Sequence, residues 1–409
     1  MTSGPRNFRK ALRLGVVLTA CACGAKPTAP TPALPVPPLA SSGVITSCGT
    51  YPGPGPYTLS ANLSSAGIVP CLTFSSSASL NLDCQGHDAS SIELFDVGGG
   101  AVRNCLMHGT AAMADGVLQN LSVEGSSHVT VDSSNVMGQV SVSVCQSCTF
   151  SSDTFAYPAD GFNPSDGDIS CELCLEGGQS NTVVQSTVDG GSGDGIDDAI
   201  LLVNEGNSVL EGNTIRNVFD AGIESSVSTG PVTATIQGNT ISNAGFTGIG
   251  GYYIPGWQNS VFSGNTVSNT PDLLLFIAPP AATTSVTMMT LVNNQITNNV
   301  LVNPITAVAA GGQLEPSIVI NYVGNPEESR PYTVTGNVLR NNNLGTSTPG
   351  PMLSPASGFI DGGGNICGPG GTLLMCSAGG AVWNRAAPLG RLFLPPTPAP
   401  RPPSRIRRR

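Results

Sequence analysis

Carboxylates crowd one stretch of this chain. Residues 153–224 carry 14 of its 26 acidic residues and a single cation, Arg216. Two Asp-rich phrases stand out there: 157–168, which holds Asp160 and Asp166, and the run Asp194-Gly195-Ile196-Asp197-Asp198. Carboxyl groups paired on one face, roughly 5 to 9 Å apart, are what glycosidic-bond hydrolysis requires, one protonated as acid and one ionised as base or nucleophile. Asp160, Asp194, Asp197 and Asp220 are the catalytic candidates. Clustered carboxylates also suit calcium, a hard cation with flexible oxygen coordination, and Asp160, Asp166, Asp194 and Asp197 are its candidate ligands. Aromatic faces stack on sugar rings, so Tyr252, Tyr253 and Trp257, which share one glycine-bounded loop, form a candidate glycan platform.

A repeat must position these groups. Gly212-Asn213-Thr214-Ile215 returns as Gly238-Asn239-Thr240-Ile241 and Gly264-Asn265-Thr266-Val267, each 26 residues after the last. Within a repeat, Val, Ile and Thr nearly alternate and are broken by Gly, Asn, Asp and Ser, which predicts short strands separated by turns. Such a unit has room for about three strands and cannot bury its apolar face alone, so its copies must stack. The expected fold is all-β: a single-stranded right-handed parallel β-helix of roughly 12 coils over residues 43–380. Asn213, Asn239 and Asn265 then lie above one another at a bend, each amide donating to the next. Asn at that bend is expected to take the left-handed backbone, with the preceding Gly relieving the same crowding.

The repeat also serves as a ruler. Aligning Gly195-Ile196 with Gly222-Ile223 and Gly248-Ile249 sets Asp197 beside Glu224, Asp220 in the place of Gly193 and Asp194 in the place of Ala221. On that register Asp194, Asp197, Asp220 and Glu224 share one patch.

The Gly-Asn-Thr-Ile repeats, the early Leu82-Asp83-Cys84-Gln85-Gly86-His87 and the closing Asp361-Gly362-Gly363-Gly364-Asn365-Ile366-Cys367 resemble the bacterial right-handed β-helix proteins of the pectin-lyase-like superfamily. The resemblance implies the fold and leaves the activity open, because lyases, hydrolases, epimerases and inert adhesins share it. Polygalacturonases of that group carry Asn-Thr-Asp, Gly-Asp-Asp and Gly-His-Gly phrases on successive coils. Here those places read Ser192-Gly193-Asp194, Phe219-Asp220-Ala221 and Phe246-Thr247-Gly248, so two carboxylates match while Ala221 and Thr247 replace the third and the histidine. A second frame, with Asp160-Gly161-Phe162-Asn163 first and Asp197-Asp198-Ala199-Ile200 next, matches better locally, but its spacing is about one coil too long. The family's Arg-Ile-Lys lysine is missing in both. A lyase would need Arg216 as its base, and a surface pairing of Arg216 with Glu211 is the plainer expectation.

The ends differ from the body. Residues 1–21 read as a signal peptide in which Leu18-Thr19-Ala20-Cys21 resembles a bacterial lipobox, implying lipidation of Cys21 and an envelope location, outer membrane or secreted. Residues 22–42 form a Pro-rich tether, and 381–409 a basic Pro-rich tail expected to be disordered. The body between keeps four arginines and no lysine against all 26 acidic residues. That balance excludes nucleic acid as a partner and disfavours bare polyuronates. Twelve cysteines in an exported chain point to disulfides: Cys48 with Cys71, Cys367 with Cys376, and Cys84 stacked near Cys105. The pairs Cys145/Cys148 and Cys171/Cys174 imitate a zinc site in spacing, with disulfides or buried thiols preferred in an oxidising envelope.

These features favour a lipid-anchored, monomeric β-helix protein that binds a polysaccharide or cell-surface glycan at its acidic face, with calcium as the one cofactor the residues suggest. The alternative is a polysaccharide-processing enzyme using the paired aspartates.

Overall fold

The computed structural model describes residues 43–52, 54–64, 70–109, 119–157, 171–191, 196–226, 232–245, 247–252, 256–278, 289–302, 318–322, 332–344 and 359–366. Among these residues every regular element is a strand, and every strand pairing is parallel. The strands form three long sheets. Sheet A has 13 strands, from Gly43–Ile45 to Phe359–Asp361; sheet B has 11, from Gly49–Pro52 to Ile318–Tyr322; sheet C has eight, from Leu106–Met107 to Val300–Val302. One coil runs from Asp198–Val203 in sheet B through Gly206–Glu211 in sheet A to Thr214–Val218 in sheet C, then climbs to Ala221–Ser226. The solenoid expected from the repeat is the fold observed. The leader, tether and tail, with Cys21, Cys367 and Cys376, lie outside the described residues.

The core follows from the alternation. Leu210, Ile236 and Phe262 align on sheet A, Ile215, Ile241 and Val267 on sheet C, and Ile200, Ile223, Ile249 and Leu274 on sheet B. All are buried. Each such side chain withdrawn from water contributes about 1.5 to 3 kcal/mol, and the register is fixed because a one-residue slip would turn the column to solvent.

The asparagine ladder runs further than the three strict repeats. Asn213 Nδ2 donates to Asn239 Oδ1, Asn239 to Asn265, Asn265 to Asn299, Asn299 to Asn342 and Asn342 to Asn365, at 2.9 to 3.0 Å. The left-handed backbone falls elsewhere than on these residues. It belongs to Gly212, Gly238 and Gly264, with φ of 65°, 64° and 63°, and to the outer row Asn217, Asn243 and Asn269. The buried ladder therefore uses Asn for its amide and not for its tolerance of positive φ.

Four disulfides occur among the described residues. Cys48–Cys71 and Cys84–Cys105 join neighbouring coils with Cα separations of 4.6 and 4.8 Å. Cys145–Cys148 and Cys171–Cys174 each close on themselves, which leaves no thiolate for zinc. The inter-coil bridges span 23 and 21 residues, a loop length at which chain entropy alone predicts about 3 kcal/mol each. Replacing Cys84 and Cys105 together by serine is expected to lower the urea midpoint by a corresponding amount, measured by far-ultraviolet circular dichroism.

Candidate functional site

Strands of sheet B that carry the acidic groups open with a local irregularity. Two residues before the aligned Ile200, Ile223, Ile249 and Leu274 stand Asp198, Ala221, Thr247 and Asp272, and one residue after stand Leu201, Glu224, Gly250 and Leu275. The residue between points inward: a Cβ added at Gly222 would come 2.5 Å from Ile241 Cγ2, and one at Gly248 would come 2.8 Å from Val267. Both flanking columns face out together. A Cβ on Gly250 would lie 3.0 Å from Thr247 Cγ2, 3.6 Å from Ala221 Cβ and 3.7 Å from Glu224 Oε2. Two successive inward residues, as in a bulge, thus bring positions three apart onto one outer face.

That geometry assembles a carboxyl cluster. Asp198, Asp220 and Glu224 present oxygens that all lie within 4.8 Å of one another. Asp198 and Glu224 are 2% and 4% exposed, while Asp197 and Asp220, each just before its strand, are half-buried. The two bends are tied, since the Asp220 amide donates to the Asp197 carbonyl at 2.8 Å. The Ala221 amide donates to Asp198 Oδ1 at 3.3 Å, whereas Asp220 Oδ1 is buried without a hydrogen-bond partner.

Among the described residues no cation offsets this charge. Burial, then the Asp197 charge, pushes Asp220 up to about 8, and burial pushes Asp197 up to about 6. Asp198 and Glu224 are driven well above the carboxylate range, first by burial and then by neighbouring carboxylates, and Glu224 hydrogen-bonds to Asp198 and, separately, to Ser226. Arg216, the nearest basic candidate in sequence, is instead held by Asp189 at 2.7 Å. The expected partner, Glu211, accepts from Gln237. At neutral pH the cluster therefore holds protonated and ionised carboxyls side by side.

The structure treats the nominated residues unevenly. Asp197 and Asp220 come together as expected, and Glu224 joins them. Asp160, Asp166, Asp194 and Tyr253 lie outside the described residues, as does the side chain of Tyr252. Trp257 is fully buried, edge-on against Phe262 at 5.3 Å between centroids, so it offers no face to a sugar. The register also shifts. Ile200, not Ile196, pairs with Ile223, so Asp197 stands level with Asp220 and not with Glu224. Asp198, which was not among the four residues assigned to the patch, belongs to the cluster. Its signal was present in the series Asp198-Ala199-Ile200, Ala221-Gly222-Ile223 and Thr247-Gly248-Ile249.

Comparison with known proteins bears on the fold. The model of the right handed beta helix region matches residues 90–348. The chain belongs to that right-handed β-helix family. Solved β-helix structures similar to it include the surface adhesin PfbA of Streptococcus pneumoniae, at 11% identity and a TM-score of 0.39 over 72% of this chain and 79% of that one. The periplasmic alginate epimerase AlgG aligns at 12% identity and a TM-score of 0.41, over 76% of this chain and 77% of that one. A GH87 α-1,3-glucanase from Streptomyces thermodiastaticus aligns at 15% identity and a TM-score of 0.33, over 78% of this chain and 63% of that one. No curated protein matches the sequence. At these identities the likeness speaks to the β-helix alone.

Proposed function

We propose that this β-helix protein acts on glycans in an oxidising compartment outside the cytosol and that its acidic cluster cleaves glycosidic bonds. One observation carries the reading: two partly exposed aspartates on adjacent coils, Asp220 raised to about 8 and Asp197 to about 6, backed by the buried Asp198 and Glu224. Near neutral pH Asp220 is protonated and can donate to the departing glycosidic oxygen, while Asp197 is largely ionised and can serve as base or nucleophile. Burial sets that split, and the Asp197 charge raises Asp220 further. A cluster with no basic partner among the described residues favours a neutral sugar over a uronate. The four disulfides fit the compartment, and lipidation of Cys21 would hold the protein there.

Release of reducing ends from a panel of neutral polysaccharides tests the reading. Turnover is expected to peak between about pH 6 and 8 and to fall roughly a thousandfold in Asp220→Asn and in Asp197→Asn. Absence of turnover on every polymer, or turnover that survives both substitutions, would overturn it.

A second reading rests on the orphaned Asp220 Oδ1 and on the spacing of at most 4.8 Å. Three convergent carboxylates fit a hard divalent cation such as calcium, which Asp198, Asp220 and Glu224 would hold and which would bridge to sugar hydroxyls in a binding protein without turnover. Calcium is then expected to raise the melting temperature by several degrees, and the rise should vanish in Asp220→Asn. A chelator-insensitive melt removes this reading.

A further inference from the structure

The two Cys-x-x-Cys disulfides occupy successive coils but unlike surroundings. In Cys145–Cys148 both residues are fully buried at the bend between sheets B and A. In Cys171–Cys174 the bridge lies on the outer face of sheet B, where Cys171 is buried and Cys174 is partly exposed. Gln139 Nε2 points at this bridge, 3.2 Å from Cys174 Sγ and 3.8 Å from Cys171 Sγ. On the next strand the register partners are Asp198 for Cys171 and Leu201 for Cys174, so the sulfurs border the carboxyl cluster.

We propose that Cys171–Cys174 is a thiol–disulfide exchange site whose co-reactant is a small or protein dithiol. Two features combine there: Cys174 is partly exposed, and the Gln139 amide N–H is aimed at the sulfurs and favours thiolate. A bridge that closes only a four-residue ring constrains the unfolded chain far less than the inter-coil bridges do, so opening it spares the fold.

The reaction balances without a further reagent. A thiolate of the dithiol attacks Cys174 Sγ, the S–S bond breaks, and Cys171 leaves as a thiolate under the Gln139 N–H. Cys171 then takes up a proton from solvent. The second thiol of the reductant then attacks the mixed disulfide, forming the oxidised reductant and releasing Cys174 as a thiol after protonation. In the reverse direction a disulfide reagent restores the bridge. The exchange opens the outer face one strand from Asp198, which couples the redox state of the surroundings to the acidic cluster.

Timed reduction of the folded wild-type protein with dithiothreitol near pH 8 tests this, with iodoacetamide trapping and peptide mass analysis. Cys171 and Cys174 are expected to become labelled at least roughly tenfold faster than Cys145 and Cys148, with the far-ultraviolet spectrum unchanged. Equal rates for the two pairs, faster labelling of Cys145 and Cys148, or labelling only as the spectrum is lost would each overturn the proposal.

Discussion

Raising the pH from about 5 to about 8.5 is expected to destabilise the folded protein by several kcal/mol, against the usual plateau across this range. The sign follows from carboxyls that the fold keeps protonated. Asp153 rises to about 8, Asp220 to about 8 and Asp197 to about 6, each chiefly through burial, and Glu172, Asp198 and Glu224 rise well above the usual range. In the unfolded chain these groups ionise near pH 4. Between the two values the folded state binds more protons, so stability is complete below about pH 4 and is lost as pH climbs toward 8. Asp153 alone, displaced by about four units, corresponds to on the order of 5 kcal/mol across the full window. Urea midpoints at a series of pH values measure the effect. A midpoint constant from pH 5 to 8.5 would contradict the protonated carboxyls.

Asp153 allows a sharper version. It occupies the slot that Asn213 fills two coils on: its Oδ1 accepts from the Ser134 amide at 2.8 Å, and its own amide donates to Ser186 Oγ at 3.2 Å. Its Oδ2 is buried without a partner, where an asparagine in the ladder would carry a donor. Asp153→Asn should therefore stabilise the protein at pH 8 and flatten that share of the pH dependence. Glu172 points into the core in the column of Ala199, Gly222 and Gly248, and both its carboxyl oxygens lack partners. Glu172→Gln should act in the same direction, because the folded state no longer has to keep a buried carboxyl protonated.

The strands, the ladder and the parallel stacking were legible because each leaves a periodic mark: alternation of two, a recurring Gly-Asn, and a constant interval. The site was only half legible. Asp197 and Asp220 announced themselves by acidity, but their register depended on which letters were matched. Gly-Ile pairs led to Ile196, whereas the structure pairs Ile200 with Ile223. The inward slot before that isoleucine admits Ala199 and Leu273 as readily as Gly222 and Gly248, so glycine was not its mark. Trp257 misled for a different reason. An indole in a Gly-rich loop reads as exposed, yet a stack of coils needs large apolar residues at its bends, and Trp257 fills that role against Phe262.

Asn239→Leu is expected to cost about 4 kcal/mol or more, whereas Asn243→Ala, four residues on, should cost about 0.5 kcal/mol or less. The two asparagines belong to neighbouring ladders with opposite surroundings. Asn239 is fully buried, and its Oδ1 accepts from both the backbone and the side-chain nitrogen of Asn213. Its Nδ2 donates to the Leu210 carbonyl at 2.9 Å and to Asn265 Oδ1 at 3.0 Å. Leucine repeats the branching at Cγ but is bulkier, so some overpacking adds to the main cost, which comes from stranding buried polar groups on three adjacent coils. Asn243 lies in the exposed row, where its Nδ2 donates to Asn217 Oδ1 at 3.0 Å and water can replace that bond. Its positive φ of 57° keeps a modest penalty for alanine. Chemical denaturation of the two variants beside wild type gives the comparison. Equal losses would mean that backbone pairing carries the stack unaided, while the expected contrast would assign the buried amides, coil after coil, the task of holding the bend that aims sheet B and its carboxyls outward.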